Sequence, residues 1–91
     1  LAGGDGVISV IGEGIPDSFS KMIQYGLNDR AKEAYAIHYK LMAGIDMIFE
    51  EGNPAGIKAL LAAKGICEPH VRLPLMSAGN VLQEKLSNFV V

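Results

Sequence analysis

The sequence has 91 residues, a formal net charge of −2, 49% hydrophobic residues and a mean hydropathy of +0.25. A chain of this length can bury only a marginal core, yet its apolar fraction is high for so small a protein. The apolar surface that such a core cannot bury predicts a protein partner, either more of the same chain or another subunit. The eight basic residues form no stripe and no apolar run reaches roughly 18 residues, which excludes a nucleic-acid footprint and a membrane-spanning helix.

A short apolar run at residues 7–11 follows a glycine-rich turn. Its β-branched, nearly continuous apolar character predicts a strand buried on both faces, which is typical of a parallel sheet in an α/β protein. No second strand of comparable quality follows, and a solitary strand leaves its backbone groups unpaired. We therefore expect the neighbouring strands to lie elsewhere, and this chain, which begins at Leu1, to be a piece of a longer protein.

The rest of the sequence predicts about four helices, so that the chain is mainly α with one parallel strand. Apolar residues recur at helical spacing, and prolines, glycines and short polar residues mark the ends of each helix. The predicted starts are Pro16, Asp29 as a cap, Asn53 as a cap followed by Pro54, and a last helix capped by Ser77 or Asn80, while Gly52 and Gly65 are predicted ends.

The residues that could carry chemistry are better explained by structural roles. Residues 12–14 do not complete a G-x-G-x-x-G phosphate loop, and Cys67 with His70 cannot complete a four-coordinate metal site. Glu50 and Glu51 point about 100° apart on a helix, so they do not form an acid/base pair, and Glu51 is expected to reach the open amides of the next helix. The single cysteine excludes an intrachain disulfide and favours a reducing, cytoplasmic setting.

Three segments taken together resemble the dihydrodipicolinate synthase family. Residues 3–10 are similar to the last barrel strand of that family. Residues 49–58 are similar to its signature of glutamate, asparagine-proline and lysine, and residues 71–75 are similar to the arginine-leucine-proline segment before its final helix. The resemblance implies the C-terminal part of a (β/α)8 TIM barrel with its helical domain. Residues 1–27 would then be the last strand and helix of the barrel, and residues 28–91 the C-terminal helical domain.

The family resemblance also implies an activity. The family condenses pyruvate with aspartate 4-semialdehyde in lysine biosynthesis through diaminopimelate, by a Schiff base on a barrel lysine, without a metal or organic cofactor. The backbone of Ile8 would lie beside bound pyruvate, and Ile8 is the one site residue that the resemblance places here. The catalytic lysine and its tyrosine partner belong to earlier strands, so the chain alone is expected to be inactive. Its implied partners are the rest of the barrel, the two substrates and further copies in a cytoplasmic homo-oligomer, a tetramer.

Two alternatives remain open at this point. The parent is either a lysine-pathway synthase or a sister enzyme that shares the Schiff base, such as N-acetylneuraminate lyase. In the other class of protein, the chain is a self-sufficient helical association module without catalysis, and its glycine-rich start is an arm. The lone predicted strand and the surplus of apolar residues favour the enzyme.

Overall fold

The computed structural model describes residues 1–90, which form five α-helices. In chain order these are α1 (Ile11–Gly14), α2 (Pro16–Leu27), α3 (Ala31–Glu50), α4 (Ala55–Ala63) and α5 (Asn80–Val90). The chain divides into two compact units, Leu1–Ala43 and Gly44–Val91, and α3 begins in the first and ends in the second. The division after residue 27 predicted from the sequence concerns a longer protein and stays a prediction.

The strand predicted at residues 7–11 is wrong. No strand occurs within residues 1–90, Ile11 opens the short helix α1, and the side chain of Ile8 is fully exposed, at 104%. A strand is stable only where a neighbour pairs its amides and carbonyls, and the described chain offers no such neighbour. The described residues are therefore all-α, and the fold class of one parallel strand plus helices, as part of a (β/α)8 barrel, is corrected accordingly.

Helix α2 begins as predicted, with Pro16 at its first position, and ends in a complete Schellman motif. The amide of Arg30 donates to the carbonyl of Tyr25 at 2.8 Å, and the amide of Asp29 donates to Gly26 at 3.2 Å. Asp29 has a φ of 59°, the left-handed conformation that such a motif requires. Asp29 therefore closes α2, whereas the sequence predicted that it would cap α3.

The core of the second unit lies between α4 and α5 and includes the end of α3. Four side chains are fully excluded from solvent there, and three alanines of the same unit, Ala55, Ala59 and Ala78, are also buried. Burial of each leucine or isoleucine contributes about 1.5–3 kcal/mol, so this cluster is the main source of stability in the unit. The four fully buried side chains are Ile48, Leu60, Leu82 and Leu86.

Two glycines allow close packing in the second unit. A Cβ atom on Gly56 would collide with the backbone of Ile48, so α4 begins directly against the end of α3. A Cβ atom on Gly44 would lie 2.5 Å from the ring of Phe89, so this ring of α5 fills the space that the missing side chain leaves. Both contacts depend on the absence of a side chain, because Cβ atoms do not approach other atoms this closely.

The start of α4 differs in detail from the sequence prediction. Pro54 is the capping residue, with no side-chain cap, and the helix begins at Ala55 rather than at Pro54. The amide of Gly56 donates to the carbonyl of Gly52 at 3.1 Å, so the backbone itself satisfies the first turn without the side chain of Asn53. Gly52 has a φ of 95° and follows the end of α3, as predicted.

Candidate functional site

Ile8 lies in the extended segment before α1. Its side chain is fully exposed, and in the described part of the chain its backbone takes part in no hydrogen bond. The amide and carbonyl of Ile8 are therefore open to a ligand or to another part of a protein. The role of this backbone beside pyruvate stays a prediction.

Ser9 has a structural role that the sequence reasoning missed. Its Oγ accepts a hydrogen bond from the amide of Gly12 at 3.0 Å, which is the contact of a helix N-cap with the third residue beyond it. The signal was present in the sequence as a serine three residues before Gly12. It was passed over because the run at residues 7–11 was interpreted as a strand, in which Ser9 would be only a small residue.

An apolar groove of about 340 Å³ lies in the first unit. Met22, Ile23 and Leu27 of α2, His38 of α3 and the first residues of the chain line it, and Ile8 does not. The groove holds no pair of titratable groups arranged for acid/base chemistry, since the titratable side chains along it are those of His38 and Tyr35. Geometry alone therefore does not identify it as a catalytic site.

The described residues bring no catalytic constellation together. None of the six lysines is buried; five are exposed and Lys58, on α4, is half-buried. Within residues 1–90 no group of three His, Cys, Asp or Glu side chains is placed to hold a metal ion. In the same residues, no helix combines the length and the apolar character needed to cross a bilayer.

Glu50 and Glu51, which follow one another at the end of α3, contact different parts of α5 and the residue before it. The Glu51 carboxylate accepts a hydrogen bond at 3.0 Å from the amide of Gly79, immediately before α5. Glu50 forms an exposed ion pair with Lys85 at 3.4 Å. A carboxylate at a helix N-terminus satisfies an open amide and interacts favourably with the helix dipole. The sequence predicted that Glu51 would reach the open amides of the next helix, which is α4. That prediction is wrong, because the amide that Glu51 accepts from precedes α5.

Arg30 connects the end of α2 with the first turn of α3. Its guanidinium donates to the Glu33 carboxylate at 2.8 Å and lies 5.0 Å from the centre of the Tyr25 ring. The hydrogen bond from Arg30 lowers the pKa of Glu33, and the same bond raises the pKa of Arg30. These groups are exposed to solvent, so the arrangement orders a turn rather than forming a reactive centre.

Helix α3 carries aromatic side chains on its outer side. The rings of Tyr35 and Tyr39 are stacked, with centroids 6.1 Å apart, and His38 lies 5.4 Å from Tyr39. Tyr35 is 48% exposed and Tyr39 is 67% exposed, while Ala34 and Leu41 of the same helix are buried. The helix is therefore apolar on a solvent-facing side as well as on its packed side, which is typical of a helix that meets a second partner.

The helical fold matches part of two solved synthase structures. One solved structure, described as a crystal structure of dihydrodipicolinate synthase, matches with a TM-score of 0.88 and 35% identity over 97% of this chain and 31% of its own. A second, described as a monomeric dihydrodipicolinate synthase variant, matches with a TM-score of 0.92 and 34% identity over 98% of this chain and 30% of its own. The model of the Dihydrodipicolinate synthetase family matches residues 1–91. The chain belongs to this family.

Curated relatives agree with that assignment and confirm the resemblance drawn from the three segments. The 4-hydroxy-tetrahydrodipicolinate synthase of Flavobacterium psychrophilum is 55% identical over 89 residues, which cover 98% of this chain and 30% of that protein. The enzyme of the same name from Porphyromonas gingivalis is 46% identical over 79 residues, covering 86% of this chain and 27% of that protein. The chain thus spans less than a third of the length of these relatives.

Proposed function

We propose that this chain is the C-terminal part of a 4-hydroxy-tetrahydrodipicolinate synthase, which condenses pyruvate with aspartate 4-semialdehyde in lysine biosynthesis through diaminopimelate. The observation that carries the proposal is 55% identity with an enzyme of that name over nearly the whole chain. The reaction would proceed through a Schiff base, formed when a lysine amine attacks the pyruvate carbonyl and water leaves. That lysine and its tyrosine partner would lie outside these residues, so the chain alone would be inactive.

Ile8 is the residue that we assign to substrate binding, through its backbone. Two observations support this role: the side chain is fully exposed, and the amide and carbonyl have no hydrogen-bond partner in the described residues. A backbone group that is free of intrachain bonds can bind a carboxylate or a carbonyl without losing an existing contact. No metal or organic cofactor enters the proposed chemistry.

The proposed setting is cytoplasmic and the proposed assembly is a homo-oligomer, a tetramer. A single half-buried cysteine, Cys67, supports a reducing compartment. Exposed apolar side chains on α3 and on the connector before α5, among them Tyr39 and Leu73, support the presence of protein partners. The remainder of the parent protein would be the first of these partners.

The test of the proposed reaction is a trapping experiment on the full-length gene product. Pyruvate with borohydride is expected to reduce the Schiff base to a stable lysine adduct, and peptide mapping is expected to place that adduct outside these 91 residues. An adduct on a lysine of this chain, or no adduct at all, would contradict the proposal. Cleavage of N-acetylneuraminate to pyruvate and N-acetylmannosamine, without condensation of pyruvate and aspartate 4-semialdehyde, would assign the protein to the sister branch.

The role of Ile8 is tested separately with two variants of the full-length enzyme. Ile8→Pro removes the backbone amide and is expected to raise the KM for pyruvate roughly 10-fold, as the loss of one hydrogen bond would. Ile8→Val keeps the backbone and is expected to change this KM by less than about 2-fold. Equal effects of both variants would show that the side chain, and not the backbone, is what matters.

A further inference from the structure

The segment that carries Ile8 is held by a hydrogen bond of the residue that follows it. Within residues 1–90, none of the first eight residues donates or accepts a hydrogen bond, and the side chains of Val7 and Ile8 are exposed. The first hydrogen bond along the chain runs from the amide of Gly12 to Oγ of Ser9. The bond nearest to the Ile8 backbone is therefore the one that the Ser9 side chain makes.

Ser9 stands where an extended segment changes into a helical turn. Val10 already has helical dihedral angles, with φ at −73° and ψ at −47°, so the turn starts directly after Ser9. The amide of Gly12 donates to Ser9 Oγ at 3.0 Å, and the amide of Glu13 donates to the carbonyl of Val10 at 3.1 Å. Ser9 thus makes the side-chain bond of a capping serine, which restricts its own dihedral angles to the extended region.

The bond between Ser9 and Gly12 is partly buried, with the ring of Phe19 close by. A Cβ atom on Gly12 would lie 3.1 Å from this ring, 3.3 Å from Ser9 Cβ and 3.4 Å from Ser9 Oγ, so both neighbours lie close against the glycine. A hydrogen bond that is partly removed from water is stronger than an exposed one. The packing therefore helps to keep Ser9 in one conformation.

Ile8 and Ser9 share a peptide group, which couples their conformations. Because this group is planar, the carbonyl of Ile8 turns together with the amide of Ser9. A Ser9 whose dihedral angles are restricted by its bond to Gly12 therefore sets the direction of the Ile8 carbonyl.

We propose that Ser9 is a positioning residue for pyruvate binding, whose hydrogen bond to Gly12 orients the Ile8 backbone before the substrate arrives. The inference rests on the proposed function of Ile8 and adds to that site a residue that acts without touching the substrate. Without the bond, pyruvate would have to order the Ile8 backbone as it binds, and this ordering costs conformational entropy. Removal of the bond therefore weakens pyruvate binding and leaves the reacting lysine unchanged.

The test uses the full-length gene product and measures the pyruvate concentration that gives half-maximal Schiff-base trapping by borohydride. Ser9→Ala removes the acceptor oxygen and is expected to raise this concentration about 5-fold, with the maximal extent of trapping within about 2-fold of the original. Ser20→Ala is the matched control, because Ser20 is an exposed serine of α2 whose hydroxyl has no hydrogen-bond partner within residues 1–90. An equal effect of the control, or no effect of Ser9→Ala, would overturn the proposal.

Two further variants separate positioning from direct contact and from simple stability. Ser9→Asn keeps a capping side chain without the hydroxyl and is expected to stay within about 2-fold of the original concentration. A value as high as that of Ser9→Ala would overturn the proposal, because the hydroxyl itself would then act on the substrate. Ser9→Gly is expected to keep thermal unfolding close to the original, since glycine is also accepted as a cap, yet to raise the pyruvate concentration about 5-fold.

Thermal unfolding of every variant completes the test. A half-maximal pyruvate concentration that rises only in those variants that unfold at lower temperature would overturn the proposal, because Ser9 would then support the fold alone. Absence of trapping in the unaltered enzyme would contradict the proposed function, and this inference with it. Normal trapping in the unaltered enzyme, with the same half-maximal concentration in Ser9→Ala, would overturn this inference and leave the proposed function standing.

Discussion

The first ten residues and the α4–α5 pair are both rich in apolar side chains, yet they reach opposite states. Val7 is 58% exposed and Ile8 is fully exposed, whereas Leu60, Leu82 and Leu86 have no exposure at all. The difference lies in what is near each segment. The two helices have each other at packing distance, while within residues 1–90 no strand is present that could pair the backbone of the amino-terminal segment. Apolar composition creates the need for burial, and a partner at the right place decides whether burial happens.

The sharpest test of that contrast is a pair of side-chain truncations to alanine in the 91-residue chain. Leu60→Ala is expected to lower the free energy of unfolding by about 3 kcal/mol, because it leaves a cavity in a fully packed core. Ile8→Ala is expected to change it by less than about 0.5 kcal/mol. Urea unfolding followed by circular dichroism measures both, and comparable losses would show that the amino-terminal segment packs in solution.

Close packing in the second unit is tested by Gly56→Ala. The added methyl group would collide with the backbone of Ile48, which cannot move without displacing the end of α3, so a loss of about 2–3 kcal/mol is expected. Gly79→Ala is the matched control, since its Cβ would lie 3.6 Å from Glu51 in ordinary contact. The control is expected to stay within about 0.5 kcal/mol of the original chain in the same unfolding measurement.

The contacts of α5 with the end of α3 predict unequal effects for adjacent glutamates. Glu51→Gln is expected to cost about 1 kcal/mol, because it removes the charge that accepts the Gly79 amide at the start of α5. Glu50→Gln, at an exposed ion pair, is expected to cost roughly 0.3 kcal/mol. If hydrogen exchange showed the first turn of α5 equally protected in both variants, the capping role of Glu51 would be wrong.

Within residues 1–90, α4 ends in a Schellman motif as α2 does, with the amide of Gly65 donating to Ala62 and that of Ile66 to Leu61, and this pair of motifs allows a smaller test. Gly65 occupies the left-handed position after α4, with a φ of 76°, and Asp29 occupies the equivalent position after α2, with a φ of 59°. Asp29→Gly is therefore expected to stabilise the chain by about 0.5 kcal/mol, since glycine adopts this conformation without steric cost. Gly65→Asp is expected to have the opposite effect in thermal unfolding, and a loss of stability in Asp29→Gly would assign the aspartate side chain a role of its own.

The smallest expected effect concerns pH. Arg30 lowers the pKa of Glu33 in the folded chain, so the contribution of this pair is complete above the ordinary pKa range of a glutamate and is lost as pH falls through the lowered value. Solvent screening keeps that contribution small. Acid titration of helicity is expected to show a slightly shallower loss at low pH in Glu33→Gln than in the original chain, and identical curves would mean that the pair contributes nothing.

Local signals predicted the helical part of this fold well. Pro16 at the start of α2, Gly52 after α3 and Gly65 after α4 have the positions that their conformational preferences favour. The strand at residues 7–11 was wrong because β propensity describes what a segment does beside a partner strand, and no such partner occurs within residues 1–90. The same dependence on distant contacts explains why Glu51 was assigned to the wrong helix, since its true partner, Gly79, lies 28 positions away.

The candidate site was less predictable than the fold. Ile8 was proposed as a site residue from the family resemblance alone, because a role played through the backbone would leave no side-chain signature in a sequence. Ser9 could have been recognised as a cap from its spacing to Gly12, had the segment not been assigned to a strand.

The ring of Phe89 against Gly44 has a consequence for how this part of the protein changes over evolution. The ring occupies the volume that a side chain at position 44 would need, so the two positions share one fixed space. Across related sequences, a residue larger than glycine at position 44 should therefore occur with one smaller than phenylalanine at position 89. Variation at either position alone should be rare, and the side-chain volumes at the two positions should be inversely related.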